Sequence, residues 1–300
     1  MFLGVDIGGT KCAVSLGNKD GEVLSQIRFA TDSPDDTVAK IISAGRELLK
    51  GKTADAVGIS CGSPQDSKKG IIQSPPNLPD WVDVPITALM EQAFNAPAFL
   101  CNDANACALA EWRFGAGRGS ENMIFLTFGT GMGAGLILNG RLYEGTCGMA
   151  GEVGHISLTE NGPEGYGKNG SFEGYCSGGG LVRLAKTMGY DSPSAKDICE
   201  SAREGKTEAC RVITESAKRL GQGLSFLIDI LNPQKIVIGS IFARAQDLFL
   251  PEMEKVLKKE CLASNLAVCE IVPAQLGEEI GNVAALSVGV VGLEELKNVR

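Results

Sequence analysis

Residues 2–24, FLGVDIGGTKCAVSLGNKDGEVL, and residues 123–145, MIFLTFGTGMGAGLILNGRLYEG, are two versions of one pattern. In each, an apolar run meets a glycine-rich turn, Gly8-Gly9-Thr10 in the first copy and Gly129-Thr130-Gly131 in the second. The chain then continues apolar and turns again at Asp20-Gly21 or Asn139-Gly140. Both copies therefore read strand, glycine turn, strand, turn, strand. Apolar segments that follow each copy are expected to add strands: AVGIS at 56–60 and APAFLCND at 96–103, then KIVIGS at 235–240 and AVCEIVPA at 267–274. Helical periodicity fills the gaps, at Asp36 to Leu49, Ala104 to Phe114 and Glu208 to Leu231, the last stopped by Asn232-Pro233. The sum is an α/β chain with mixed sheets. Its 300 residues exceed one ordinary core and suit two similarly built domains.

Composition narrows the function. The formal charge of −8 at pH 7, with no run of Lys and Arg, argues against a nucleic-acid surface and favours a small-molecule partner. An anion such as ATP remains compatible where backbone N–H groups and Mg²⁺ make the local field. The ten cysteines are scattered, lack C-x-x-C spacing and follow no secretory signal, so they are expected to be reduced. The amino terminus enters a strand directly and no apolar stretch approaches membrane-spanning length, which makes the cytoplasm the expected location. Residues 159–180, TENGPEGYGKNGSFEGYCSGGG, are rich enough in Gly, Asn and Ser to predict an irregular excursion, functional or merely a mobile surface loop.

Several short motifs carry chemistry. Asp6-Ile7-Gly8-Gly9-Thr10-Lys11 ends the first strand, where glycines expose N–H groups, Thr10 adds a hydroxyl, and Asp6 suits Mg²⁺ held through water; a plain hairpin is the alternative. The second copy, with Gly129, Thr130, Gly131 and Gly133, presents more glycine than a hairpin needs, and paired loops of this kind can grip a triphosphate. Asn102-Asp103 stands at a strand end before an alanine-rich helix. Asp103 there is either an N-cap or a base that accepts a hydroxyl proton, with Asn102 binding a neighbouring hydroxyl. His155, the sole histidine, follows Glu152 in Gly151-Glu152-Val153-Gly154-His155; alone it reads as structural, and Glu173 alone as a solvated charge.

Taken in order, DIGGTK, PNLPDW, CNDANACALAE, GTGMGAGL, GMAGEVGH and GSFEGYCSG resemble the ROK family of bacterial sugar kinases and sugar-responsive repressors across nearly the whole chain. The resemblance implies an actin/hexokinase-like, ribonuclease H-like fold of two domains that close on a cleft. It implies ATP and Mg²⁺ on the phosphate loops, and transfer to a hexose or N-acylhexosamine, commonly at the 6-hydroxyl. Asp103 matches the family's general base. Asn77, Asn102, Glu152, His155 and Glu173 match positions that bind sugar hydroxyls, with Gly62 near the sugar through its backbone. Gly239 matches the adenine-side turn, where Ser240 replaces the second glycine of a pair. The implied division is residues 1–113, completed by a C-terminal helix at about 285–300, and residues 114–284. Glucose is the first-choice sugar, ahead of N-acetylmannosamine, N-acetylglucosamine, fructose and allose, and a homodimer is the implied assembly.

One departure concerns a metal. Most members carry C-x-C-G-x-x-G-C-x-E after the Gly-His pair, binding zinc together with that histidine. The matching stretch here is EGYGKNGSFE, with Glu164, Tyr166 and Ser171 at the cysteine positions. A structural zinc site takes four N or S ligands, so a zinc-free variant is expected, in which another group must orient His155. The rivals are a silent sugar-binding protein, which the lost thiolates favour, and a regulator, for which the strand at residue 2 leaves no room ahead for a helix-turn-helix.

Overall fold

The computed structural model describes residues 1–298; positions 299 and 300, the end of the expected C-terminal helix, lie outside the described residues. The chain divides into two compact units, one of residues 1–118, 144–149 and 278 onward, the other of residues 119–143 and 150–277.

The first unit opens with β1 (Phe2–Ile7), β2 (Lys11–Gly17) and β3 (Val23–Ala30), an antiparallel meander. Helix α1 (Pro34–Leu49) starts where Ser33 accepts the Asp36 N–H and Pro34 lends its fixed φ, and it ends at Lys50 in the left-handed region. Then come β4 (Ala56–Cys61), the short pair β5 (Gln65–Asp66) and β6 (Ile71–Ile72), α2 (Ile86–Phe94), β7 (Ala98–Asn102) and α3 (Asp103–Phe114). The main sheet runs β3-β2-β1-β4-β7, with β1, β4 and β7 mutually parallel. Strands β1 and β4 are buried almost throughout, as continuous apolar runs in a covered sheet should be, whereas the edge strand β3 is largely half-exposed or exposed.

The second unit repeats the plan. Strands β8 (Met123–Phe128), β9 (Met132–Leu138) and β10 (Arg141–Leu142) form its meander, with Asn139 and Gly140 both at positive φ in the turn. Next come the small hairpin β11 (Glu164–Gly165) and β12 (Lys168–Asn169), then α4 (Phe172–Tyr175), α5 (Gly178–Thr187), α6 (Ala195–Arg203) and α7 (Thr207–Leu231). The unit closes with β13 (Lys235–Ile238), α8 (Ile241–Glu260), α9 (Ala263–Leu266) and β14 (Glu270–Pro273). Its sheet order, β10-β9-β8-β13-β14, matches the first sheet position for position, in direction as well as neighbour. The repeat seen in the sequence is thus a repeat of topology. Residues 159–180 differ from expectation: β11–β12, α4 and the start of α5 occupy much of what the Gly, Asn and Ser content predicts to be irregular.

The chain returns to the first unit as α10 (Ile280–Asn298), which packs on β1, β4 and α3. Glycine permits the approach: a Cβ on Gly58 would fall 2.0 Å from the Ala285 carbonyl oxygen, and one on Gly289 would fall 2.9 Å from the Gly58 nitrogen. Backbone therefore lies on backbone, and α10 is buried over most of its circumference, as its apolar sequence without a polar face requires. In the second unit the core gathers Phe128, Phe172, Phe242 and Phe249, with Phe128 and Phe249 edge-to-face at 5.3 Å.

Candidate active site

In the first unit the pairing register aligns Ile7, Cys61 and Asn102 across the three parallel strands. The loops that leave their carboxyl ends carry Gly8-Gly9-Thr10, Gly62 and Asp103 on one edge of the sheet, where α/β folds bind ligands. The Gly8 N–H donates to the Lys11 carbonyl at 3.0 Å, and Thr31 fastens the turn by donating its hydroxyl to the Gly8 carbonyl at 2.6 Å. Gly9 is required sterically, since a Cβ there would lie 2.6 Å from the Asn77 Cβ and carbonyl oxygen. Asn77 and the turn are thereby neighbours. At Gly62 nothing lies within 4 Å of where a Cβ would stand, so its backbone faces open space.

The two readings of Asp103 separate here. The cap of α3 is Asn102, whose Oδ1 accepts the Asn105 N–H at 2.7 Å while the residue is buried. Asp103 is the first helical residue, exposed, with Oδ1 accepting only the adjacent Ala104 N–H at 2.8 Å. Its carboxylate is therefore not the cap. It still acts on Asp6: burial first, and then the Asp103 charge, push the Asp6 carboxyl up from 3.8 to about 6, against a smaller opposing pull from Arg28. One Asp6 oxygen also lies 3.2 Å from the Cβ position of Gly281 in the first turn of α10. The nearby thiols are inert by the same physics, burial pushing Cys61 up to about 12 and raising Cys101 and Cys107 well above the ordinary thiol range.

In the second unit the turn Gly129–Gly131 closes on itself, with the Gly129 N–H donating to the Gly131 carbonyl at 3.1 Å. The Gly129 carbonyl accepts the Gly178 N–H of α5 at 2.7 Å. Glu173 is half-buried, contrary to its reading as a solvated charge: its Oε2 accepts the Met132 N–H at 2.9 Å and lies 2.8 Å from the Cβ position of Gly131. Glu173, a candidate sugar ligand, is thus bonded to the strand that leaves the Gly129–Gly131 turn. Gly154 permits this closeness, since a Cβ there would fall 2.3 Å from the Met132 carbonyl oxygen. Glu152 and His155 flank the 3₁₀ turn Val153–His155, and the His155 ring meets Tyr166 edge-to-face at 5.4 Å.

Beyond β13, Gly239 leads to Ser240 at φ 56° and ψ −115°, a backbone region that disfavours any side chain. The Ser240 hydroxyl oxygen stands 3.2 Å from the Cβ position of Gly129, which joins this turn to the phosphate turn. Beside it is a cavity of about 540 Å³ lined by Lys196, Cys199, Arg203, Ile241 and Arg244. Sequence reasoning missed these residues, because α6 carries only an ordinary amphipathic pattern. It also gave Tyr166 no role of its own, though an aromatic between two glycines was a visible oddity.

The ROK family model matches residues 2–288. The chain belongs to the ROK family. The glucokinase of Thermotoga maritima is 32% identical to it, over 96% of each chain. Among solved structures, the ROK hexokinase of Thermus thermophilus superposes with a TM-score of 0.86 at 28% identity, covering 98% of this chain and 99% of that one. The ROK glucokinase of Streptomyces griseus, solved with glucose and AMPPNP, gives 0.75 at 32% identity over 96% and 98%. The two-unit α/β fold with mixed sheets is the ROK hexokinase fold. The zinc ligands of the resemblance do not fit this member, since Ser171 has its hydroxyl on the Gly165 carbonyl and the Gly174 N–H, and Glu164 accepts the Gly167 N–H. Among the described residues no helix is long and apolar enough to cross a membrane.

Proposed function

We propose that this chain is an ATP-dependent sugar kinase acting on a hexose, glucose foremost and at its 6-hydroxyl. The observation that carries the reading is Asp103, an exposed carboxylate relieved of capping by Asn102, on the same strand-end edge as the Gly8-Gly9-Thr10 turn. Asp103 accepts the proton of the sugar hydroxyl as its oxygen attacks the γ-phosphorus and ADP leaves. Within the first unit, Gly62, Asn77 and Asn102 are the residues offered to sugar hydroxyls; within the second, Glu152, His155 and Glu173 are. Such a set rejects sugars that leave one of its groups unpaired. The turn Gly8-Gly9-Thr10-Lys11 in the first unit and the turn Gly129-Thr130-Gly131, with Gly133, in the second are each offered to phosphate oxygens, the Gly8 and Gly129 N–H groups closing their own turns; in the second unit Gly239 and the cavity beside Ser240 take the adenine. Positioning supplies most of the rate, as expected for a loose phosphoryl transfer.

Mg²⁺ fits the first unit. Asp6 is a largely buried oxygen donor whose charge is opposed by burial and by Asp103, an imbalance that a divalent cation relieves. Asp6 would hold it through water, and the ion would offset charge on the phosphates. The cytoplasm suits the ten thiols, none of them in a disulfide among the described residues. A homodimer would cover Phe226 and Ile230, one turn apart on α7 and 40% and 76% exposed; light scattering reads it directly.

The test is ADP release with Mg·ATP over a panel of hexoses and N-acylhexosamines, beside the Asp103→Asn variant. A sugar-dependent rate that falls about 100- to 10,000-fold in the variant supports both substrate class and base. Near wild-type turnover by a folded variant overturns the base. No turnover with any sugar shifts the reading to a sugar-binding regulator.

A further inference from the structure

We propose that the Tyr166 ring positions the His155 imidazole for sugar, doing with a side chain what bound zinc does elsewhere in the family; the proposal rests on the sugar-kinase reading above. Tyr166 sits in the two-residue turn between β11 and β12, in the left-handed region at φ 56°. A bulky residue at positive φ is strained, and glycine would be the relaxed choice, as Gly167 at φ 69° beside it illustrates. What the tyrosine contributes must therefore lie in its side chain.

That side chain reaches a candidate sugar residue. Its ring meets His155 nearly at right angles, 83° between planes, with centroids 5.4 Å apart. Burial first, then the charge of Glu152, raise the phenol above its ordinary range. The hairpin also holds His155 from the other side, Lys168 of β12 donating its ammonium to the His155 carbonyl at 3.0 Å.

The turn itself is braced without metal. Glu164 accepts the Gly167 N–H at 3.0 Å, the Arg183 Nε donates to the Glu164 carbonyl at 2.6 Å, and the Ser171 hydroxyl donates to the Gly165 carbonyl at 2.8 Å. Glu164 and Ser171 thus have hydrogen-bonding tasks in one small assembly, while the Tyr166 ring faces His155. It is 52% exposed, so its replacement leaves the core untouched.

Three proteins decide the matter: wild type, Tyr166→Phe and Tyr166→Gly. Tyr166→Phe, which keeps the ring beside His155, is expected to leave the sugar KM within about 2-fold of wild type, with kcat and the ATP KM nearly unchanged. Tyr166→Gly, which relaxes the backbone, should melt no lower than wild type yet raise the sugar KM about 10- to 100-fold. A purely structural tyrosine predicts the reverse ordering. An unchanged sugar KM in both variants, or an equal shift in the ATP KM, overturns the proposal. So does one tightly bound zinc per chain, found by elemental analysis, whose removal by chelator raises the sugar KM. If wild type turns over no sugar, calorimetric sugar binding by the same three proteins separates the two readings. The stated order of affinities then upholds Tyr166 and overturns only the kinase, whereas no binding at all overturns both.

Discussion

Asp6 ought to make the protein less stable as it ionises. In the unfolded chain its carboxyl titrates near 3.8, and in the folded chain burial and the Asp103 charge push it up to about 6. The folded state therefore holds the proton more tightly. Below pH 3.8 both states are protonated and Asp6 contributes nothing; as pH rises through 6 the folded state alone comes to carry the full cost of a buried charge. A displacement from 3.8 to about 6, at 1.36 kcal/mol per unit, amounts to about 3 kcal/mol at neutral pH. The start of α10, whose Gly281 has its Cβ position 3.2 Å from an Asp6 oxygen, favours the anion and makes that figure an upper end. Asp6→Asn cannot titrate, so its stability advantage over wild type should widen by about 2 to 3 kcal/mol between pH 4 and pH 7.5. Urea unfolding followed by tryptophan fluorescence reads the right part of the molecule, because both tryptophans, Trp81 and Trp112, belong to the unit that contains Asp6. Adding Asp103→Asn should shrink the widening, since it removes the second cause of the displacement. A difference between Asp6→Asn and wild type that stays flat from pH 4 to 8 would refute the electrostatic account. If Asp6 holds Mg²⁺ as proposed, the variant should lose Mg·ATP affinity as it gains stability.

Three further outcomes can be checked together. Asn102→Ala should cost about 1 kcal/mol in urea unfolding through loss of the α3 cap, while Asp103→Ala, which removes no cap and relieves part of the cost of charging Asp6, should not lower stability. Ser240→Gly should raise stability by about 1 kcal/mol, strain relief at φ 56° exceeding the added chain entropy, and a lower melting temperature would contradict the strain. Glu173→Ala should raise the KM of both sugar and ATP, since its carboxylate accepts the Met132 N–H beside the second glycine turn, whereas Glu173→Gln, which retains an acceptor, should chiefly affect the sugar. Selective loss of sugar affinity in Glu173→Ala would count against that link.

The sequence disclosed whatever is periodic or doubled. Strands β1 and β8, each an apolar run ended by glycines, marked the repeat, and the helix expected over Glu208 to Leu231 lies within Thr207–Leu231 because Asn232 adopts the left-handed cap before Pro233. Local chemistry was legible only as alternatives: a strand-to-helix junction reading Asn-Asp offers two capping side chains, and only the Oδ1 contact to Asn105 assigns the cap to Asn102 and frees Asp103. Contacts between distant segments left no trace at all. Glu173 meets Met132 from 41 positions away, and the glycine-rich composition there reads only as an irregular excursion, because glycine serves a tight turn and a loose loop equally well. Tyr166 makes the point sharpest. Its sequence neighbours Gly165 and Gly167 suggest freedom, yet its ring contact with His155 and its left-handed backbone describe a residue held in an unfavourable conformation for the sake of its side chain. Where a sequence places a large side chain at a position that backbone energetics would assign to glycine, as at Tyr166 and again at Ser240, the departure from the local rule is itself the signal of function.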